Sequence, residues 1–224
     1  MKTSVFVTSF LIALSGSIAQ AEDDLNSEKQ QFSYAMGFQI AQDLKRYEMD
    51  IDVDLVAMAI DDVLKGKKPR LTMEKMQTLF SDFQKKETAK MELIASTNKA
   101  EGETFLAENK GKEGVVALES GLQYKVITAG SGAQPAADST VSVHYRGTLI
   151  NGTEFDSSYQ RGEPVTFAVN GVIRGWTEAL QLMKEGAKWR LFIPSDLAYG
   201  PRGAGADIGP NSMLQFDVEL LSVK

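Results

Sequence analysis

Apolar positions recur along this chain with two different periods. Between residues 27 and 110 they return every three or four residues. Phe32, Ala35, Met36, Ile40, Leu44 and Tyr47 follow one helical face, and Ser27 and Gln30 have capping-box spacing ahead of it. Asp52 is placed to cap a second helix, in which Val53, Val56, Ala57, Ile60, Val63 and Leu64 repeat before Lys65-Gly66 ends the run. A third helix starts at Thr72 and runs to about Asn109, where Gly111 and Gly114 stop it. At 1.5 Å per residue it is ~57 Å long. Its apolar stripe is Met73, Met76, Leu79, Phe80 and Phe83, whereas from Gln84 onward only Met91, Leu93, Ile94, Phe105 and Leu106 are large and apolar. The pattern predicts a packed first half and a largely solvated second half. No sustained heptad continues through the second half, which speaks against a long coiled coil.

From Leu122 the period falls to two. Val141, Val143 and Tyr145 point one way and Ser142, His144 and Arg146 the other, as in a strand with one buried face. Asn151-Gly152 reads as a tight hairpin turn. Further strands are expected over 123–127, 165–169, 188–193 and 213–223, with one short helix over 177–183. An antiparallel sheet with a helix on one face is an α+β arrangement. Thirteen of the 19 Gly and five of the 6 Pro lie after residue 120, so the chain changes there from a helical to a turn-rich part. The expected division is a leader over 1–21, a helical domain over 22–71, a connecting helix over 72–114 and a sheet domain over 115–224.

The leader has Lys2, an apolar run over 5–18 and Ala19-Gln20-Ala21 at its end, which is the pattern of a cleavable secretory signal. An uncleaved anchor is the alternative, but the run is short for a membrane span and contains Ser15, Gly16 and Ser17. The expected location is therefore the periplasm, the outer membrane or the cell surface. The chain has no Cys, so no disulfide staples it, and one His with no Cys leaves no zinc cluster or thiol chemistry. Without the leader, 23 Lys and Arg oppose 30 Asp and Glu, a net charge of -7 that argues against nucleic-acid binding. Residues 22–71 form only a small core, and self-association would cover what they leave exposed. Gly37 and Ala41 would let a partner helix approach, with Phe38 available across a twofold axis.

The candidate chemistry centres on Val172-Ile173-Arg174-Gly175-Trp176, where a glycine break and an indole open a helix. Tyr145, Phe155, Phe167, Tyr199, Ile208 and Phe216 are the apolar and aromatic residues that could surround Trp176. An apolar pocket and a plain aromatic core both fit those residues. Strand alternation sets His144 opposite the Tyr145 face, and no nucleophile elbow accompanies it, so a hydrolase triad is not indicated. Gly203-Ala204-Gly205 lacks the Lys-Ser/Thr pair and helix of a phosphate cradle. Asp156 reads equally as a turn or capping carboxylate.

Five segments, in order and spacing, resemble the FKBP-type peptidyl-prolyl isomerases: Val143-His144-Tyr145-Arg146-Gly147, Phe155-Asp156-Ser157-Ser158, Val172-Ile173-Arg174-Gly175-Trp176, Ala198-Tyr199-Gly200 and Phe216-Asp217-Val218-Glu219-Leu220. Ser33-Tyr34-Ala35-Met36-Gly37, the long charged helix and Ser120-Gly121-Leu122-Gln123-Tyr124-Lys125 extend the resemblance to the dimeric Mip-type branch. The resemblance implies a half-barrel wrapped around a short helix and non-covalent rotation of X-Pro bonds without metal or cofactor. By resemblance, Asp156, Tyr199 and Tyr145 are the catalytic residues. Phe155, Arg161, Phe167, Val172, Ile173, Trp176, Ile208 and Phe216 bind substrate, with Ile208 closing one rim. Val165 and Ala204 depart from the commonest pattern, which implies a more open outer rim. The implied partners are proline-containing polypeptides, macrolide-type inhibitors and a second copy of the chain. A holdase-type chaperone and a host-contact factor are the competing readings.

Overall fold

Helix starts are local events, and each of the three long helices begins at the cap its sequence supplies. In the computed structural model, which describes residues 25–46 and 49–224, α1 spans Glu28–Arg46, α2 Val53–Leu64 and α3 Met73–Asn109. The leader and Tyr47 lie outside the described residues. Ahead of α1, the Ser27 N–H donates to Gln30 Oε1 at 2.9 Å and the Gln30 N–H to Ser27 Oγ at 3.3 Å, a reciprocal capping box. Asp52 accepts from the Leu55 N–H at 3.1 Å, and Thr72 from the Lys75 N–H at 3.1 Å.

The chain forms two compact units, one up to Pro69 and one from Arg70 to Lys224. In the first unit the apolar stripes of α1 and α2 are not buried. Phe32 is 67 % exposed, and Met36, Ile40, Val53, Ile60, Val63 and Leu64 are exposed with it. The inward face expected for α1 is therefore open.

In the second unit α3 reverses the sequence expectation. Leu79, Phe80 and Phe83 of its first half are exposed, while a stripe of Ile94, Ala95, Asn98, Gly102, Phe105, Leu106 and Asn109 in its second half is partly or fully buried. The stripe has helical spacing, but it is built from small and polar residues. A Cβ on Gly102 would stand 3.0 Å from Met213 Cβ, so the helix lies directly on that residue. Phe105 meets Phe192 with ring centroids 5.8 Å apart. Asn109 Nδ2 donates to Gln123 Oε1 at 3.0 Å, and Gln123 Nε2 donates to the Leu106 carbonyl at 2.8 Å. Both side chains are buried, and each satisfies part of the other's polarity.

The sheet has seven strands: β1 Val115–Ala117, β2 Gln123–Ala129, β3 Thr140–Leu149, β4 Glu154–Ser157, β5 Val165–Ala168, β6 Ala187–Ile193 and β7 Leu214–Val223. Its order is β1-β2-β6-β7-β3-β4, with β5 also paired to β3, and every pairing is antiparallel. The β3–β4 hairpin turns at Asn151-Gly152, where Gly152 takes a φ of 86° that a side chain would resist. The four-residue α4 (Ser158–Arg161) follows β4, and α5 (Arg174–Leu180) starts three residues earlier than the pattern predicts. Trp176, Ala179 and Leu180 of α5 pack in one core with Val141, Val143, Leu191, Ile193, Leu214, Val218 and Leu220 of the sheet. This is the expected half-barrel around a short helix.

Candidate active site

Two glycines let the aromatic side chains converge. On β3, Val141 and Val143 are buried, and Tyr145 continues the same face two residues on. Two residues further, a Cβ on Gly147 would fall 2.6 Å from Phe155 Cζ and 2.8 Å from Phe216 Cε1. Its absence admits both rings, which meet edge to face with centroids 5.5 Å apart at 86°. On α5, a Cβ on Gly175 would fall 2.5 Å from Ile193 Cγ2, so only glycine lets this helix sit so close to β6. That approach sets Trp176 at 5.1 Å from Phe216 and 5.3 Å from Tyr145, both nearly perpendicular, and at 5.6 Å from Phe167.

The rings enclose part of an open cavity of about 490 Å³. Trp176 is only 5 % exposed yet borders it. Its indole Nε1 is buried and makes no hydrogen bond among the described residues, so the indole offers an apolar surface rather than a polar anchor. Tyr145, Phe155, Phe167 and Phe216 line the cavity from the sheet, Val172 and Ile173 from the start of α5, and Tyr199 from the loop after β6. Asp156 is the single carboxylate on its lining.

That carboxylate is held on both oxygens. The Tyr145 hydroxyl donates to Oδ2 and Arg161 Nη1 to Oδ1, while Arg161 Nη2 donates to the Tyr145 oxygen at 2.8 Å. The guanidinium also lies 5.5 Å from the Tyr145 ring centroid. Burial pushes the Asp156 carboxyl upward, but the hydrogen bonds from Tyr145 and Arg161, the guanidinium charge and the Ser157 N–H outweigh it and hold the group below its ordinary value. Burial, and then the bond to the carboxylate, raise the Tyr145 hydroxyl. The result is a negative charge fixed beside an apolar surface, with a phenol that keeps its proton.

Ser158 supports this arrangement from behind. Fully buried at the start of α4, its Oγ accepts the Tyr145 N–H at 2.8 Å and contacts His144 Nδ1 at 3.0 Å, pinning β3 where Tyr145 leaves it. His144 stacks on Tyr159 at 4.7 Å, and neither borders the cavity. The sequence assigned Ser158 no role, because a short polar residue in a turn carries no pattern of its own.

Of the eleven residues singled out from the sequence, nine line the cavity. Arg161 stands one layer out and acts on it through Asp156 and Tyr145. Ile208 is not brought to the lining. It is 8 % exposed and belongs to the core, because its loop closes on itself through Ala204 N–H to Ile208 O at 2.8 Å and the reverse bond at 3.1 Å. Val165 and Gly171 also line the cavity. Val165 is the position that the resemblance sets at the outer rim, two residues before Phe167 on β5.

Residues 131–221 match the family described as FKBP-type peptidyl-prolyl cis-trans isomerase, and residues 29–126 match the domain found amino-terminal to it. The outer membrane protein MIP of Legionella longbeachae is 47 % identical over 97 % of this chain and 97 % of its own. The peptidyl-prolyl cis-trans isomerase Mip of Coxiella burnetii is 42 % identical over 94 % of each. The crystal structure of FkpA from Escherichia coli superposes with a TM-score of 0.64 at 37 % identity, covering 89 % of this chain and 98 % of that one. With a near-full-length relative at this identity and the matched fold, the chain belongs to the FKBP-type peptidyl-prolyl cis-trans isomerases.

Proposed function

We propose that the cavity around Trp176 is the seat of X-Pro isomerisation, with the pyrrolidine ring on the indole and the Tyr145, Phe155, Phe167 and Phe216 rings around it. Rotation about the X-Pro bond has to break amide conjugation, a barrier of ~18–20 kcal/mol. The planar amide is the more polar state and water solvates it well. An apolar site withdraws that solvation from the ground state more than from the twisted transition state, which lowers the barrier with no bond made or cut. Asp156, kept charged by Tyr145 and Arg161, then faces the twisted carbonyl as a fixed dipole partner. Ile173, through its N–H, and Tyr199, through its hydroxyl, hold neighbouring carbonyls.

The observation that carries the reading is the pairing of one oriented carboxylate with an aromatic box inside an open cavity. A cis/trans exchange assay on a short proline peptide tests it, comparing the parent with Asp156→Leu. The variant is expected to lose roughly tenfold or more in kcat/KM, the scale of one charge-assisted hydrogen bond, with its unfolding temperature little changed. An unaltered rate removes Asp156 from the mechanism.

Folding assistance to exported proteins fits the leader over 1–21, and the outer-membrane name of the Legionella relative supports an envelope or surface location. The open apolar stripes of α1 and α2 support homodimerisation through the first unit, because exposed apolar patches of this extent mark association surfaces. They also favour a second reading, a holdase that shelters unfolded clients, which suppression of client aggregation by an isomerase-dead variant would test. Macrolide-type inhibitors are expected to occupy the same cavity.

A further inference from the structure

The loop from Tyr199 to Met213 begins at the cavity and ends against α3. Tyr199 lines the cavity and is 41 % exposed, with no hydrogen bond at its hydroxyl among the described residues, so its position depends on the main chain that carries it. The next residue, Gly200, offers its carbonyl to the Asn211 N–H at 2.9 Å. Asn211 is the one described non-glycine residue with a positive φ, 55°. An asparagine tolerates that conformation at modest cost, but the loop needs something to hold it there.

What holds it is the docked half of α3. Asn98 Nδ2 donates to the Pro210 carbonyl at 2.9 Å and to Ser212 Oγ at 3.2 Å, using both of its N–H groups. Asn211 Nδ2 returns a bond at 3.3 Å to the Ala95 carbonyl, one turn earlier on the helix. Between these bonds the helix and loop touch closely: a Cβ on Gly209 would stand 3.2 Å from Asn98 Nδ2 and 3.6 Å from Ile94 Cγ2. The three bonds join residues more than 110 positions apart in the chain. At the loop's other end, the Gly203 Cβ position lies 2.1 Å from the Ile208 carbonyl, so the tip is a tight closed turn with little freedom to adjust by itself.

We infer that α3 is a working part of the isomerase site, and that Asn98 and Asn211 are positioning residues that brace the loop carrying Tyr199. Force on the helix at Ala95 or Asn98 is carried through Asn211 to Gly200 and so to the cavity wall. The inference rests on the reading of Tyr199 as a substrate-holding residue, and it deepens that reading by assigning the outer wall a support outside the sheet.

A double-mutant cycle on the full chain tests it. The variants are Asn98→Ala, Tyr199→Ala and the pair, with Asn211→Gly as a second probe that keeps the positive φ but deletes the bond to Ala95. Cis/trans exchange of a short proline peptide is measured well below each unfolding midpoint. Asn98→Ala and Asn211→Gly are each expected to lower kcat/KM roughly three- to tenfold, the scale of one or two neutral hydrogen bonds. In the Tyr199→Ala background, Asn98→Ala is expected to add no further loss, because the residue it positions is already gone. Equal losses in both backgrounds would overturn the inference, since general loosening of the fold would act regardless of Tyr199. Parent-like rates for both asparagine variants, beside a clear Tyr199→Ala loss, would also overturn it. A parent-like Tyr199→Ala would instead defeat the reading of Tyr199 on which the inference stands.

Discussion

Replacing Gly147 with alanine adds one carbon at the centre of the aromatic box and touches no polar group. Its φ is not in the left-handed region, so the backbone accepts the residue, and the whole effect comes from packing. The new Cβ would lie at 2.6 and 2.7 Å from two Phe155 ring atoms and 2.8 Å from a Phe216 ring atom. All three are closer than real Cβ contacts, and each belongs to a rigid ring rather than a flexible tip. Overpacking of this kind costs about 1–3 kcal/mol when the surroundings cannot give.

The structure says where they give. Phe216 is 5 % exposed and wedged against Trp176 and Tyr145, whereas Phe155 is only partly buried and borders the cavity. The cheaper relief is for Phe155 to swing into the cavity, trading strain for binding space. Gly147→Ala is therefore expected to lower kcat/KM for a proline peptide about tenfold or more, while the unfolding midpoint falls by only a few degrees, at roughly 2–4 °C per kcal/mol for a unit of this size. Peptide exchange and thermal unfolding on one preparation measure both. Parent-like activity with a large fall in midpoint would refute the argument, because the strain would then have been absorbed in the core and not by the site.

The remaining expectations concern charge, docking and assembly. Asp156 is depressed in the fold, so its stabilising contribution is present above the unfolded carboxylate range and is lost only as pH falls through a value below 3.8. Tyr145 is raised, so it remains a donor, and kcat/KM should be flat from about pH 5 to 9; an inflection in that window that is lost in Asp156→Asn or Tyr145→Phe would contradict this assignment. Gly102→Leu drives new carbons into Met213 and should lower the unfolding midpoint by the equivalent of about 1–3 kcal/mol, whereas an unchanged midpoint would mean that α3 is not held there. On the proposed homodimerisation through the first unit, Phe32→Glu combined with Met36→Glu should yield a monomer by light scattering without changing peptide turnover, and a monomeric parent or a dimeric double variant would overturn that proposal.

What the sequence discloses depends on how local the physics is. Ser27, Asp52 and Thr72 are readable as caps because each serves an N–H three residues away, and the strands are readable because a half-buried sheet forces a period of two. The aromatic lining is readable only as composition until the five-segment resemblance orders it. Asp156 illustrates the difference: its partners lie 5 and 11 residues away on separate elements, so turn carboxylate and site carboxylate look the same in sequence. Ile208 is a related case: the resemblance sets it at one rim, and in the fold it is buried in the core beside Trp176 and Phe216 and is not among the lining residues. Resemblance transfers a residue's identity, but the Ala204–Ile208 closure of this particular loop decides which way it packs.

The reversal along α3 goes further. Its first half has the apolar stripe but is exposed, and its second half lacks one but is docked, through Asn98, Gly102 and Asn109. Apolar periodicity measures surface that needs cover, and cover can come from another copy of the chain or from a client as well as from the same chain. A close helix-to-loop contact instead selects residues small enough for the backbones to approach and polar enough to satisfy carbonyls that the approach buries. Such a stripe has the same helical spacing as a hydrophobic one, yet a hydrophobicity count reads it as solvated. On that argument, Phe80 and Phe83 belong with Phe32 and Met36 among surfaces awaiting a partner, whereas Asn98 and Gly102 belong to the isomerase unit itself.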